Sequence, residues 1–266
     1  TSSRVVQIIK KQFNLDRVGH LGTLDPMATG LLIIAINRAT KFASLLLQSE
    51  KSYRAEVTLG IQTNTDDAEG EVISCKDVNI NDFQAKKALL SFLGESDQFP
   101  PNYSALKHKG KPLYRYARDG IKIEKAARKI FIKNINNISI EMPKVSFDIK
   151  CSKGTYIRSI ARDLGYKLGC GAHLSKLIRT SQEKFVLSDA CSLDDINLEK
   201  IISLENAFKD LDCIKLSESE GKAFLHGRSI DTNFDHTNLL RVYDAANQFI
   251  AIGKNTSKGF KHEYLV

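Results

Sequence analysis

Apolar residues recur at helical spacing in VVQIIKKQF at 5–13, behind Ser2 and Ser3 as candidate caps. A polar loop holding Gly19, Gly22, Pro26 and Gly30 follows. LLIIAI at 31–36 is an unbroken apolar run of strand length, and KFASLLLQ at 41–48 has an amphipathic helical pattern. YRAEVTLG at 53–60 alternates as a strand does, and TNTDDAEG after it is turn chemistry. Residues 81–93 read as a helix. SFDIKCS at 146–152 reads as a strand that runs through Lys153-Gly154 into a helix over 155–168, with Thr155 as its N-cap. Strands and helices mix without regular βαβ alternation, which predicts an α+β fold. The texture changes near residue 208. A short helix near 217–226 precedes HGRSI and two alternating stretches, NLLRVYDA and QFIAIGKN. The pattern predicts a first domain over 1–207 and a separate small β-rich domain over 208–266.

The chain has 266 residues and is 42% hydrophobic, enough for one large domain with a small one beside it. Lys and Arg number 39 against 31 acids, a net charge of +8, which favours a polyanionic partner. The charge concentrates at 107–133. There Lys107, Lys109, Lys111, Arg115, Arg118, Lys122, Lys125, Arg128, Lys129 and Lys133 face only Asp119 and Glu124, with Tyr103, Tyr114 and Tyr116 in or beside them. Such a stretch is either a solvated charged loop or an arm that grips phosphates while its aromatics stack on bases. Cys75, Cys151, Cys170, Cys191 and Cys213 are odd in number and form no CxxC pair, so neither a zinc site nor a disulfide framework is expected. No apolar run approaches the roughly 20 residues of a membrane helix, and no signal peptide is visible. A cytoplasmic protein is expected.

GHLGTLDPMATG at 19–30 carries the most chemistry. Pro26 pushes Asp25 toward an extended conformation, and glycines on either side let the backbone approach a ligand closely. A carboxylate on such a loop can act as nucleophile, base or metal ligand; an Asp-Pro pair can also be a plain turn. No GxGxxG, Walker A, HExxH or Cys/His cluster is present, so no cofactor and no metal are expected.

The segment GHLGTLDPMATGLL closely resembles the catalytic motif of TruB-type pseudouridine synthases, and four further segments agree in order. KSYRAEVTLGIQTNTDDAEGEV at 51–72 resembles the family's second motif, and FPPNYSALKHKGKPLYRYARDG at 99–120 its RNA-gripping insertion, taken here as about 99–133. CSKGTYIRSIARDLG at 151–165 resembles its arginine motif, and GCGAHLSKLIRT at 169–180 the segment that closes its pocket. The tail is similar, more loosely, to a PUA RNA-binding domain. The family's opening strand and Lys-Pro-x-Gly segment have no counterpart before Thr1-Ser2.

The resemblance implies a mixed, mostly antiparallel sheet flanked by helices, then a PUA-like barrel. It implies a monomeric enzyme without cofactor or obligate protein partner that isomerises uridine 55 in the T-loop of tRNA to pseudouridine. Asp25 would be the nucleophile and Arg158 its partner. Tyr53 would stack on the flipped base, Tyr156 line the pocket, Leu177 press on the uracil and His20 enter the T-loop. Lys107, Lys109 and Lys111 would bind tRNA. From spacing alone, Tyr53 and Leu177 read as core residues and Arg158 as an exposed helix arginine. Asp67 is either part of the family's acidic turn or an ordinary turn residue. A tRNA-folding module without catalysis and an RNA-guided synthase subunit are alternative readings. A metal nuclease built on Asp66, Asp67 and Glu69 is a weaker one.

Overall fold

The computed structural model describes residues 1–47, 49–121, 123–231 and 239–266, so Lys122 and the start of the strand expected at 238–245 lie outside the described residues. Two compact units form. One comprises Thr1–Val5, His20–Ile33 and Leu45–Ala190, the other Val6–Gly19, Ile34–Ser44 and Cys191–Val266.

The first unit is built on a seven-stranded sheet. Its strands are β1 (Lys51–Leu59), β2 (Gly94–Gln98), β3 (Arg128–Glu141), β4 (Lys144–Cys151), β5 (Ala172–Gln182), β6 (Phe185–Val186) and the two-residue stretch Thr29–Gly30. Across the sheet the order is β6-β5-β1-β4-β3-β2, all antiparallel, with Thr29–Gly30 pairing parallel to β5. The sheet is therefore mixed and mostly antiparallel, in an α+β arrangement, as expected.

Alternation along β1 buries Tyr53, Ala55, Val57 and Leu59, and along β4 it buries Val145, Phe147, Ile149 and Cys151. Leu89 of one helix (Asp82–Leu90) and Ile157, Ile160, Ala161 and Leu164 of another (Ile157–Leu168) belong to the same buried cluster. Each fully buried Leu, Ile or Phe there contributes about 1.5–3 kcal/mol.

Several boundaries differ from the sequence reading. The first helix is Ser2–Gln12, and its cap is Thr1, whose Oγ1 accepts from the Arg4 amide at 3.4 Å. Ser2 instead accepts the Leu24 amide at 2.9 Å. Of LLIIAI only Ile34–Ile36 forms a strand, because Leu31 spends its amide on the Arg179 carbonyl, 2.8 Å away. KFASLLLQ splits between a 3-10 turn (Asn37–Phe42) and a short α-helix (Ala43–Leu47), with Gln48 outside the described residues. Thr155 is not a helix cap. The buried Gln98 side chain grips both the amide and the carbonyl of Tyr156, at 2.8 and 3.1 Å, holding that residue extended so that the helix starts at Ile157. The basic stretch changes character at Arg128, where β3 begins; Lys129 pairs with Glu95 and Asp97, and Lys133 with Glu50.

The second unit contains a four-stranded sheet of Cys213–Lys215, Leu240–Tyr243, Phe249–Thr256 and Gly259–Leu265 in that order, the first pair parallel. A helix at Glu218–Leu225, started by a Ser217/Glu220 capping box, packs Phe224 on Phe260 with ring centroids 5.5 Å apart. Among the described residues no helix is long and apolar enough to cross a membrane.

The helix Ile157–Leu168 lies so close to β5 that a methyl group on Gly165 would overlap the Ala172 amide and the Gly171 carbonyl carbon. Gly165→Ala is expected to destabilise the fold by about 1–3 kcal/mol or more. The urea midpoint should fall at unchanged slope. A wild-type midpoint would mean the helix can draw back freely.

Candidate active site

Asp25 sits on the loop that joins residue 20 to the parallel stretch Thr29–Gly30. The Ala28 amide closes a turn on the Asp25 carbonyl at 2.9 Å, and Met27 and Ala28 pack onto the main core. Gly30 has φ +96°, and a β-carbon there would lie against the backbone of Arg179, so the loop can dock on β5 only with glycine at this position.

Arg158 comes from the first turn of the helix Ile157–Leu168 and is buried. Its Nε donates to Asp25 Oδ2 at 2.9 Å and its Nη2 to Oδ1 at 3.0 Å, a two-pronged pair. Nη1 and Nη2 also donate to the carbonyls of Thr65 and Tyr103, at 3.2 and 2.9 Å. The Arg158 side chain is 5% exposed while that of Asp25 is 30% exposed, so the carboxylate keeps an open side.

Asp67 is buried with Oδ2 3.6 Å from Arg158 Nε, and its Oδ1 accepts from Thr65 Oγ1 and the Glu69 amide. One helical turn beyond Arg158, Arg162 donates to Asp66 Oδ2 at 3.2 Å and to the Phe99 carbonyl at 3.0 Å. The acidic turn is thus bound by two arginines of one helix face. Burial raises the Asp66 carboxyl above its ordinary range against the pull of Arg162. Two of the acids expected in a metal nuclease, Asp66 and Asp67, point instead to separate guanidinium groups. Among the described residues, no three His, Cys, Asp or Glu side chains come together to hold a metal ion.

Tyr53 and Tyr156 both lie within electrostatic reach of Asp25, and burial raises both phenols above the usual range. Leu177 is buried on β5 opposite Ala55. His20 is half-buried, and its Nδ1 has no hydrogen-bond partner among the described residues. The structure therefore brings Asp25, Arg158, Tyr53 and Tyr156 together. No hydrogen bond or ion pair ties His20, Lys107 or Lys109 to that group among the described residues.

Lys107–His108 and Lys111–Pro112 form a small hairpin leading into the helix Leu113–Arg118. Lys107 and Lys109 are exposed, whereas Lys111 pairs with Asp119 at 2.7 Å and lies 4.8 Å over the Tyr116 ring. Arg118 covers Tyr114 in the same way, so two of the arm's aromatics already carry cations.

Two residues stand out that sequence reasoning passed over or left open. Asp67 was one aspartate among several in a turn. Arg179 is marked by nothing in the sequence, yet it is fully buried and donates to the Leu31 and Gly22 carbonyls.

Comparison with known proteins gives the family. The profile described as TruB family pseudouridylate synthase (N terminal domain) matches residues 10–157. The tRNA pseudouridylate synthase B C-terminal domain matches 158–214, and Pseudouridine synthase II TruB, C-terminal, matches 213–260. A tRNA pseudouridine synthase B of Alkaliphilus oremlandii is 43% identical over 88% of this chain and 80% of its own length. That of Clostridium kluyveri is 42% identical over 98% and 93%. Among solved structures, a chain of a Cbf5-Nop10-Gar1 complex is 25% identical with a TM-score of 0.71, covering 100% of this chain and 80% of that one. A chain of an H/ACA RNP bound to a substrate RNA containing 2'-deoxyuridine is similar in fold at 24% identity, with a TM-score of 0.72 over 100% of this chain and 81% of that one.

Cys151, at the end of β4, has its thiol pushed up by burial from near 9 to about 12. Between those values the unfolded chain has lost the thiol proton and the folded chain keeps it. The unfolded state then binds fewer protons, so this group makes stability fall as pH rises from about 9 to about 12. Neighbouring Lys51, lowered by burial, acts with the opposite sign. A wild-type versus Cys151→Ala comparison isolates the thiol. Relative to the variant, the wild type should lose about 1.4 kcal/mol per pH unit in that window and nothing below it. Parallel denaturation curves up to the top of the window would remove the thiol from the account.

Proposed function

Because the chain belongs to the TruB family and makes pseudouridine in tRNA, we propose that its substrate is uridine 55 of the T-loop and that Asp25 is the nucleophile. The reaction breaks the N1–C1′ bond, turns the uracil and joins C5 to C1′; the proton lost from C5 is balanced by one gained at N1. No electrons or water are consumed. The observation that carries the assignment is the two-pronged Arg158–Asp25 pair, with the carboxylate held on one side and open on the other. The guanidinium supplies direction, and a misplacement of about 1 Å can cost 10²-fold in rate.

Taking the base out of its stack costs a few kcal/mol. Tyr53 offers a ring to hold it, worth about 1–3 kcal/mol. Tyr156 and Leu177 complete the pocket, and His20 sits five residues before Asp25 on the same loop to enter the T-loop. The T-arm phosphates are gripped by the hairpin bearing Lys107, Lys109 and Lys111, and further RNA by residues 208–266, following a catalytic part over 1–207. In this reading the enzyme is a cytoplasmic monomer acting without cofactor or obligate protein partner. The RNA-guided alternative rests on fold neighbours at 24–25% identity, whereas the relatives at 42–43% are tRNA enzymes.

Asp25→Asn is expected to abolish pseudouridine formation on unmodified tRNA while affinity falls less than about tenfold, or about 1.4 kcal/mol. Sequencing-based detection should place all product at position 55, and tRNA with cytidine there should give none. Turnover by the variant sinks the nucleophile, and product at another uridine sinks the position.

Replacing Lys107, Lys109 and Lys111 together by alanine should flatten the log–log salt dependence of tRNA binding by about two units, at roughly 0.7–0.9 per phosphate contact. An unchanged slope makes the hairpin a solvated loop.

A further inference from the structure

We infer that Arg179 is a positioning residue for the reaction, fixing from behind the loop that Arg158 fixes from the front. The inference rests on the reading of Asp25 as the nucleophile. Arg179 is 1% exposed and heads the fully buried side chains by volume. Among the described residues it pairs with no carboxylate. Its acceptors are neutral: Nε donates to the Leu31 carbonyl at 2.7 Å and Nη2 to the Gly22 carbonyl at 2.9 Å, and the Tyr53 hydroxyl lies within electrostatic reach of the guanidinium. Tyr53 is its cross-strand neighbour between β5 and β1.

A buried guanidinium without an anion is a poor device for stability. An apolar side chain of similar volume commonly serves a core as well or better. What Arg179 supplies is direction. Gly22 and Leu31 are the entry and exit of the loop that carries Asp25, and Tyr53 is the pocket's stacking ring. One planar group with donors in a fixed fork therefore ties both ends of the loop to a central strand, beside the strand position that carries Tyr53. The backbone of the same residue adds to the anchor, since its carbonyl accepts the Leu31 amide at 2.8 Å. Asp25 lies three residues past Gly22 with no strand pairing of its own, so this tie sets where the carboxylate stands.

Lysine would keep the charge at this site but could satisfy only part of the fork. Methionine would keep the bulk and leave two carbonyls without their donors. Gly22→Ala reaches the same contact from the loop side. Gly22 has φ +113°, and a β-carbon there would sit 3.3 Å from Arg179 Nη1.

The test measures single-turnover rate with saturating enzyme, filter-binding affinity for unmodified tRNA, and amide exchange for Arg179→Lys, Arg179→Met and Gly22→Ala. Each is assayed well below its own melting temperature, with wild type and Asp25→Asn alongside. The methionine variant should lose about 100-fold or more in rate. Lysine should lose less. All three should bind tRNA within about threefold of wild type. Amide exchange should rise over residues 22–31 and stay low in β1, β4 and the helix Ile157–Leu168. A folded variant of Arg179 with wild-type rate overturns the inference, as does a loss of affinity equal to the loss of rate, or faster exchange throughout the sheet. If the methionine variant does not fold, the lysine and Gly22 variants decide by the same readouts. Activity in Asp25→Asn would instead remove the nucleophile reading and leave the Arg179 result to stand as loop anchoring alone.

Discussion

The first unit depends on how a buried arginine is satisfied. Arg158 carries a positive charge spread over a planar fork of five N–H donors. Burying it without partners would cost many kcal/mol, so each donor must find an acceptor as the chain folds. It finds Asp25, the Thr65 carbonyl and the Tyr103 carbonyl, which come from three segments far apart in sequence. The loop that carries Asp25, the acidic turn and the entry to the basic arm converge on the start of one helix because that is where the donors are. Asp67 stands behind this arrangement at 3.6 Å, adding negative charge that the same guanidinium balances.

The sheet makes such convergence geometrically possible. Gly165 lets the helix Ile157–Leu168 lie close on β5, and Gly30 lets the loop lie close on the same strand from its edge. Helix and loop therefore approach one strand, where Arg158 can reach Asp25. Gln98 adds a further constraint by gripping the Tyr156 backbone, which delays the helix until Ile157 and places Arg158 in its first turn. With the helix one residue earlier, the face that carries Arg158 and Arg162 would be rotated by about 100°.

Much of this was legible along the chain, and the exceptions have physical reasons. The alternation of β1 and β4 reads directly because one face of each is buried. β3 was absorbed into the basic stretch, because nine of its fourteen residues are exposed and three of the expected arm cations are simply its outward side chains. Asp25 stood out through the proline and glycines around it, which are local signals. Its pairing with Arg158 spans 133 positions and came only from family resemblance. Asp67 was marked only by its place in the family's acidic turn, and Arg179 carried no signal, since an aspartate in a turn and an arginine in a strand are usually solvated. Their burial follows from contacts with Leu174 and with the loop, which no local pattern encodes.

The asymmetry of the Asp25 pair says how the site can work on a large substrate. A carboxylate enclosed on every side could be well oriented but unreachable; one fully exposed could be reached but would wander. Here the two oxygens are held along one edge by a side chain that is 5% exposed, and the carboxyl keeps 30% of its surface open. In the mechanism proposed above, the base comes from that open side and leaves its stack to do so. A flat ring, such as that of Tyr53, is the side chain suited to receive it because stacking tolerates rotation about the ring normal while hydrogen bonds do not. A reaction in which the uracil turns over before rejoining the sugar needs that combination: a fixed carboxylate on one side, and on the other a surface that holds the base without fixing its orientation.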